Sequence, residues 1–140
     1  MSLRNRHVVV RTIDRADGAT IDALAPVGTA TVHEAIGRRG YLGPEIRAIQ
    51  QGTKIAGSAV TVSCHPGDNL MIHAAMAIAK PGDVIVVDGK GDLSSALMGE
   101  IMCQQCAALG VAAVVIDGAV RDSEAIRELG QALLNLAHLC

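Results

Sequence analysis

Two apolar stretches on either side of a helix-like stretch limit the possible folds of this chain more than any other feature. Residues 84–88 (VIVVD) and 111–117 (VAAVVID) show almost no polar alternation, which is typical of strands covered on both faces. A helix is predicted within residues 94–109, and Gly110 would end it. This strand–helix–strand order predicts two parallel neighbouring strands joined by a right-handed crossover.

Helical spacing of apolar residues predicts further helices over residues 19–25, 69–79 and 123–129. Thr31 is followed three residues later by Glu34, which is the capping-box pattern and predicts another helix beginning there. The apolar tail from 129 to 140 continues the helical spacing that precedes it. We therefore expect the chain to end in a helix, with no closing strand.

Alternating apolar residues predict a strand over 54–64, where Gly57 marks a bulge or a close approach of two backbone segments. Residues 7–13 predict a short strand or an extended arm. Glycine and proline predict turns or loops at residues 40–44, 66–68 and 89–92. Strands and helices alternate without a linker or repeat, so we expect one α/β domain over residues 1–140.

Composition limits the classes of partner. The chain has 140 residues, of which half are apolar, and its formal charge is −2. Basic residues are scattered and no basic stripe with interleaved aromatics is present, which argues against nucleic acid. The chain shows no signal peptide and no apolar run of about 18 residues, so we expect a cytoplasmic protein without a membrane partner.

Polar residues that can carry chemistry follow the second apolar strand, which ends in Gly-Ala-Val-Arg-Asp. Ligands of open α/β sheets bind at the carboxyl ends of strands, which is where Arg121 and Asp122 would lie. An arginine can hold a carboxylate in a fork, and an aspartate can hold a divalent cation. Glu100 precedes Arg121 by one crossover helix and one strand.

The start of that crossover helix decides whether these residues meet. If the helix begins near Gly99, the backbone N–H groups of Ile101 and Met102 face the same cleft as Arg121. A helix N-terminus together with an arginine makes a site for a carboxylate or a phosphate. A surface salt bridge with ordinary helix capping explains the same spacing equally well.

Three other patterns have ordinary structural explanations. Cys103 and Cys106 form a C-x-x-C pattern, but no second pair with zinc spacing is present, so we interpret them as small buried apolar residues. His65 and His73 lack the spacing of a helical metal-binding pair. Residues 89–91 (GKG) lack the third glycine of a dinucleotide fingerprint and are interpreted as a turn.

The motifs GDVIVVDG, ALMGE and VIDGAVRD, in this order over residues 82–122, resemble the family of 4-hydroxy-4-methyl-2-oxoglutarate aldolases. These are class II, metal-dependent pyruvate aldolases, and the family includes the regulator of ribonuclease E activity A. The upstream segments TATVHEAIG, GSAVTV and GDNLMIHAAM extend the resemblance to nearly all of residues 20–129. The motif is a carboxylate followed, after twenty residues, by Arg-Asp.

The resemblance implies a three-layer β/β/α swivelling fold with a parallel βαβ core, assembled as trimers or hexamers. The sequence after about residue 130 no longer resembles the family. We therefore expect the C-terminal part of the family domain to be missing from this chain.

The resemblance also implies a role for each site residue. Arg121 would bind the pyruvyl carboxylate or carbonyl oxygen, and Asp122 would ligate Mg²⁺ or Mn²⁺ through a water-rich shell. Glu100 would orient or deprotonate a water on the metal, and that water would act as general base on the C4 hydroxyl. The substrate would be wrapped by Gly99, Glu100, Ile101 and Met102.

By this resemblance the chain would be a lyase that cleaves 4-hydroxy-4-methyl-2-oxoglutarate or 4-carboxy-4-hydroxy-2-oxoadipate into pyruvate and a second 2-oxo acid. Oxaloacetate decarboxylation would be a side activity, and the role would lie in aromatic-acid breakdown. The alternatives are a non-catalytic regulator of an RNA-degrading endonuclease and an inactive truncated homologue. Asp122 favours the enzyme, because the regulators that the resemblance includes keep the arginine and lack the metal-binding aspartate.

Overall fold

The computed structural model describes residues 8–139, in which five helices accompany one five-stranded sheet. The helices are α1 (Gly18–Leu24), α2 (Thr29–Ala35), α3 (Leu70–Met76), α4 (Glu100–Ala108) and α5 (Ser123–Leu129). The strands are β1 (Arg47–Ala48), β2 (Ala59–Ser63), β3 (Val84–Met98), β4 (Ala113–Arg121) and β5 (Ala132–Leu139). The longest of these helices has nine residues, which is too short to span a bilayer.

The sheet has the order β1-β5-β4-β3-β2. Strands β2 to β5 are parallel, and each lies beside the next strand in the chain, with one helix in every connection. The short strand β1 pairs with β5 in the antiparallel direction. This order confirms the predicted α/β class and its parallel βαβ core, because a parallel connection requires a crossover of this kind.

The core is aliphatic and lies between the sheet and the helices α3, α4 and α5. Alternate strand residues, such as Ile85 and Ile116, are fully buried on this face. They pack in one cluster with Ile72, Cys106 and Ile126 from the three helices. Burying one such Ile side chain contributes about 1.5–3 kcal/mol to the free energy of folding. Because the fully buried apolar side chains gather in this one cluster, it supplies most of the hydrophobic stabilisation.

Strand β3 continues through residues 89–92, so the predicted loop there is wrong. Gly89 lies against β4 so closely that a Cβ would sit 2.4 Å from the carbonyl oxygen of Asp117. Three register shifts between Asp88 and Met98 show that the pairing is irregular. Because backbone pairing with β4 supplies the hydrogen bonds, a segment with loop composition continues as a strand and carries the chain to the start of α4.

The tail forms strand β5, so the predicted C-terminal helix and the predicted absence of a closing strand are both wrong. Gly130 adopts the left-handed conformation (φ 76°) and ends α5. The chain then turns back along β4, with Ala132 opposite Ala113. Pairing with the neighbouring strand has overridden the helical spacing of the tail.

The structure also tests four smaller predictions of the sequence analysis, all of them before residue 65. Helix α2 begins at Thr29 with Gly28 as its N-cap, so the predicted capping box of Thr31 and Glu34 is wrong. Of the predicted strand 54–64, residues 59–63 form β2, and the backbone of Ser58 and Cys64 also bonds to β3. Residues 8–13 form no strand, and residue 7 lies outside the described part of the chain. The predicted close approach at Gly57 is confirmed, since a Cβ there would lie 2.3 Å from the carbonyl oxygen of Gly82.

Candidate functional site

The carboxyl ends of β3 and β4 meet the first turn of α4, and the predicted site residues gather at this junction. Met98, the last residue of β3, is the register partner of Val120 in β4. Gly99 follows as the N-cap of α4, which confirms the predicted start of this helix. Arg121 ends β4 and Asp122 follows it. Two neighbouring strand ends therefore bring their side chains to the N-terminal backbone of one helix.

Gly99 provides the space in which these groups meet. A Cβ at this position would lie 2.6 Å from Oδ2 of Asp122 and 2.9 Å from Nε of Arg121. Both distances are shorter than a non-bonded contact allows. The backbone of Gly99 is ordinary extended chain, with φ −144°, so the glycine is required by space alone. Arg121 and Asp122 consequently lie directly over the first turn of α4.

Asp122 points towards α4, although it occupies the N-cap of α5. Its backbone is left-handed (φ 59°), and its side chain makes no capping hydrogen bond to α5. Oδ2 of Asp122 instead accepts a hydrogen bond from the Glu100 N–H at 3.2 Å. The same oxygen lies 3.6 Å from Nε of Arg121. The carboxylate thus neutralises part of the positive charge at the start of α4.

A pocket of about 170 Å³ opens beside this junction. Its lining consists of Asn69, Ala96, Leu97, Met98, Gly99, Ile101, Met102 and Arg121. The Arg121 side chain is largely exposed, and within residues 8–136 its Nη1 and Nη2 atoms bond to no protein group. The guanidinium therefore offers a two-pronged fork to an anion in the pocket.

The other three predicted residues contribute in different ways. Glu100 supplies its backbone N–H to the junction, while its carboxylate accepts a hydrogen bond from Gln104 at 2.8 Å, along the surface of α4. Ile101 lies at the pocket mouth and is 77% exposed. Met102 is buried and forms part of the pocket wall. The junction therefore combines backbone donors, one cation and one carboxylate.

Asn69 lines the pocket, although the sequence analysis placed this residue only at the start of the predicted helix 69–79. Its side chain makes no capping bond. Nδ2 of Asn69 instead donates to the Leu97 carbonyl at 3.2 Å and lies 3.5 Å from the sulfur of Met102. Asn69 thereby joins the end of β3 to the first turn of α4. No local signal in the sequence indicates such a contact, because its partners lie about thirty positions away.

The donor set at this junction fits a hydrated divalent cation. Within residues 8–136, no three His, Cys, Asp or Glu side chains converge to enclose a metal ion. A carboxylate oxygen of Asp122, Oδ1, has no hydrogen-bond partner in the same residues. Mg²⁺ commonly binds through one or two carboxylates and keeps several waters, whereas zinc usually takes three or four protein ligands, most of them nitrogen or sulfur. Asp122 therefore fits Mg²⁺ or Mn²⁺ better than zinc.

The C-x-x-C pattern faces the core. Cys103 and Cys106 are fully buried free thiols. Burial raises the pKa of Cys103 to about 12, with smaller contributions from Cys106 and Asp122, and raises the pKa of Cys106 to about 11. Neutral, enclosed thiols of this kind serve as small apolar side chains, which confirms the interpretation from sequence.

Comparison with known proteins places this arrangement in context. The chain matches the RraA-like family, described as Aldolase/RraA, over residues 29–139. A protein of Halalkalibacterium halodurans named "Putative 4-hydroxy-4-methyl-2-oxoglutarate aldolase" is 37% identical over 103 residues. These residues make up 74% of this chain and 49% of that protein. The chain thus spans about half the length of the curated relative that it matches.

Two solved structures share the fold. RraAS2 of Streptomyces coelicolor, described as an unusual member of the RNase ES inhibitor RraA protein family, is 30% identical with a TM-score of 0.79, covering 91% of this chain and 66% of that one. The RNA-processing inhibitor RraA from Thermus thermophilis is 29% identical with a TM-score of 0.72, covering 80% of this chain and 68% of that one. Since the family match extends over well more than half of its residues, this chain belongs to the RraA-like family, Aldolase/RraA.

Proposed function

We propose that this chain carries the active site of a divalent-metal-dependent class II pyruvate aldolase. Its substrate would be 4-hydroxy-4-methyl-2-oxoglutarate or 4-carboxy-4-hydroxy-2-oxoadipate, and the products would be pyruvate and a second 2-oxo acid. The observation that carries the proposal is the meeting of the α4 N-terminus, the Arg121 guanidinium and the Asp122 carboxylate at one junction, beside a pocket that Arg121 lines. The relationship to a protein named as an aldolase supports the same chemistry.

Arg121 and the first turn of α4 would hold the carboxylate of the 2-oxo acid. Nη1 and Nη2 of Arg121 bond to no protein group in residues 8–136, so both can donate to one carboxylate. The N–H groups at the start of α4 add fixed partial positive charge at the same place. Together they would orient the substrate so that its ketone lies beside Asp122.

Asp122 would hold the divalent cation. When bound there, the cation would polarise the ketone oxygen at C2 of the substrate. Glu100 would guide a water that removes the C4 hydroxyl proton, after its carboxylate leaves Gln104. A Schiff-base lysine is not part of this proposal. Lys90 in β3 donates to Ser63 at 3.0 Å and pairs with Asp88, and it is not part of the lining of the pocket beside Gly99.

The alternative is a non-catalytic protein that binds a ribonuclease. It is favoured by the names of the two solved relatives, which describe an RNA-processing inhibitor and a member of an RNase ES inhibitor family. Asp122 discriminates between the two functions, because only the lyase needs a metal-binding carboxylate there. An inactive truncated homologue is a further alternative. The lyase proposal also includes assembly into trimers or hexamers and a cytoplasmic location. It further includes oxaloacetate decarboxylation as a side activity and a role in aromatic-acid breakdown.

Pyruvate release from 4-hydroxy-4-methyl-2-oxoglutarate tests the proposal directly. The protein is treated with EDTA and assayed with and without Mg²⁺, and pyruvate is measured through coupled lactate dehydrogenase. Magnesium-dependent release supports the lyase. If folded protein releases no pyruvate, the lyase proposal fails for residues 1–140. Activity gained by adding a family-like C-terminal segment would then identify a truncated enzyme, and continued inactivity would favour the regulator.

Two variants assign the residues. Asp122→Ala is expected to lose metal-stimulated turnover while the fold is retained, whereas Glu124→Ala, an exposed carboxylate two residues on, keeps it. Arg121→Lys is expected to weaken pyruvate binding, since a point charge cannot replace a two-pronged fork. Arg39→Lys, an exposed arginine outside the pocket, is the matched control. Full turnover in Asp122→Ala would remove Asp122 from the site.

A further inference from the structure

The Asp122 carboxylate lies against backbone and side-chain donors that could also bind the carboxylate of a ligand. The two nearest donors of the anion site, the Glu100 N–H and Nε of Arg121, both face Oδ2 of Asp122 at 3.2 Å and 3.6 Å. The protein therefore places its own carboxylate at the start of α4. A ligand anion that needs these donors has to displace Oδ2.

Ordinary helix capping does not explain this placement. An N-cap aspartate normally accepts a hydrogen bond from the second or third residue of its own helix. Asp122 makes no such bond to α5 and adopts a left-handed backbone, which few residues other than Gly, Asn and Asp accept readily. The carboxylate crosses to the neighbouring helix instead. Its side chain is 42% exposed, so rotation away from α4 meets no packed core.

We propose that Asp122 is a specificity-determining residue that decides which carboxylates enter the pocket. Without a divalent cation, Oδ2 of Asp122 occupies the anion position and competes with any simple carboxylate. When Asp122 turns to a cation, the Glu100 N–H and Nε of Arg121 become available together, beside the Nη1 and Nη2 atoms that already face no protein acceptor within residues 8–136. This inference rests on the proposed function for the identity of the ligand, a 2-oxo acid.

The consequence is a preference for ligands that carry a second oxygen next to the carboxylate. Pyruvate can reach both the freed donors and the cation, because its ketone adjoins its carboxylate. Propionate has nearly the same size and the same charge but lacks the ketone. Propionate therefore gains no affinity from the cation, and it has to displace Oδ2 of Asp122 without that help. Asp122 would thus couple cation binding to the selection of 2-oxo acids.

Calorimetric titration with pyruvate and with propionate, in EDTA and then in Mg²⁺, tests this inference. Asp122→Asn keeps the shape of the side chain and tolerates the left-handed backbone, but it removes the competing charge. In EDTA we expect Asp122→Asn to bind both acids about fivefold more tightly than the unaltered protein. In Mg²⁺ the unaltered protein is expected to prefer pyruvate, and Asp122→Asn to bind the two acids equally.

Glu124→Gln is the matched control, because it removes the same charge two residues further along the chain. Three outcomes would overturn the inference: equal affinities of Asp122→Asn and the unaltered protein in EDTA, an equal gain in Glu124→Gln, or no binding of either acid by any folded variant. The titration reports binding and does not depend on turnover. A chain that binds in the expected pattern but releases no pyruvate would therefore refute the lyase and leave the selection by Asp122 standing.

Discussion

Arg15 and Asp83 form an ion pair that joins the N-terminal segment to the turn before β3, with Nη2 of Arg15 2.7 Å from Oδ2 of Asp83. Nε of Arg15 donates to both carboxylate oxygens, and the Lys80 N–H donates to Oδ2 at 2.8 Å. Asp83 is only 2% exposed. A buried carboxylate with this many donors fixes the position of the chain as it enters β3, the strand that leads to Gly99.

Asp83→Ala is expected to lower the free energy of unfolding by about 3 kcal/mol, because it removes a charged, hydrogen-bonded group from a buried position and leaves its donors unpaired. Asp14→Ala is the control, since Asp14 is an exposed aspartate beside Arg15, and its effect should stay within about 0.5 kcal/mol. Urea denaturation measures both. Equal losses in the two variants would contradict the structural role of the pair.

The same pair predicts a dependence of stability on pH. The hydrogen bond from Arg15 is the main cause that holds the pKa of Asp83 below its ordinary value of 3.8. A carboxylate with a lowered folded pKa contributes its full stabilisation above the ordinary value and loses it as the pH falls through the folded value. The stability difference between the unaltered protein and Asp83→Ala should therefore be constant above about pH 5 and shrink below about pH 3.8. A difference that grew on acidification would refute this assignment.

The buried thiols are expected to resist alkylation. With a pKa of about 12, Cys103 is a thiolate in roughly one molecule in ten thousand at about pH 8, and burial also hinders access. Burial likewise raises the pKa of Cys64, which is enclosed by the core. In a Cys140→Ser background, mass spectrometry after iodoacetamide treatment should find no labelled cysteine in native protein and three after unfolding in urea. Rapid labelling of Cys103 in the native protein would show that α4 does not shield this thiol from solvent.

Gly99→Ala tests the crowding of the site. The added Cβ would lie 2.6 Å from Oδ2 of Asp122, so that Arg121 and Asp122 must both move. We expect the magnesium-dependent kcat/KM to fall by about 100-fold, since small displacements of positioning groups have effects of this size. Gly18→Ala in α1 is the control, because nothing lies within 4 Å of its Cβ position. Unchanged turnover in Gly99→Ala would mean that the site tolerates a shifted Arg121.

Much of the site follows from strand and helix patterns in the sequence. The apolar stretch before Arg121 predicts a buried strand, and strand ends of a parallel sheet gather polar residues at one edge. Asn69 and the left-handed backbone of Asp122 do not follow from these patterns. Both depend on contacts between elements that are distant in the chain, such as the bond from Asn69 to Leu97.

The two largest errors of the sequence analysis concern strands beside β4. Residues 89–92 have the composition of a loop, and the tail after Gly130 has the apolar spacing of a helix. In each case the neighbouring strand supplies backbone hydrogen bonds that local preference does not anticipate. Gly130 itself was the available signal, because a glycine at this position commonly ends a helix.

The order of the sheet has a consequence for synthesis on the ribosome. Strands β3, β4 and β5 each dock on the strand made just before, so the parallel part of the sheet can grow from β2 as the chain emerges. Strand β1 is made before all of them, yet Arg47 pairs with Asn135 in the final strand. Closing so long a loop comes after the local connections have formed. Among the strands of the described residues, the first to be translated is therefore the last to find its partner.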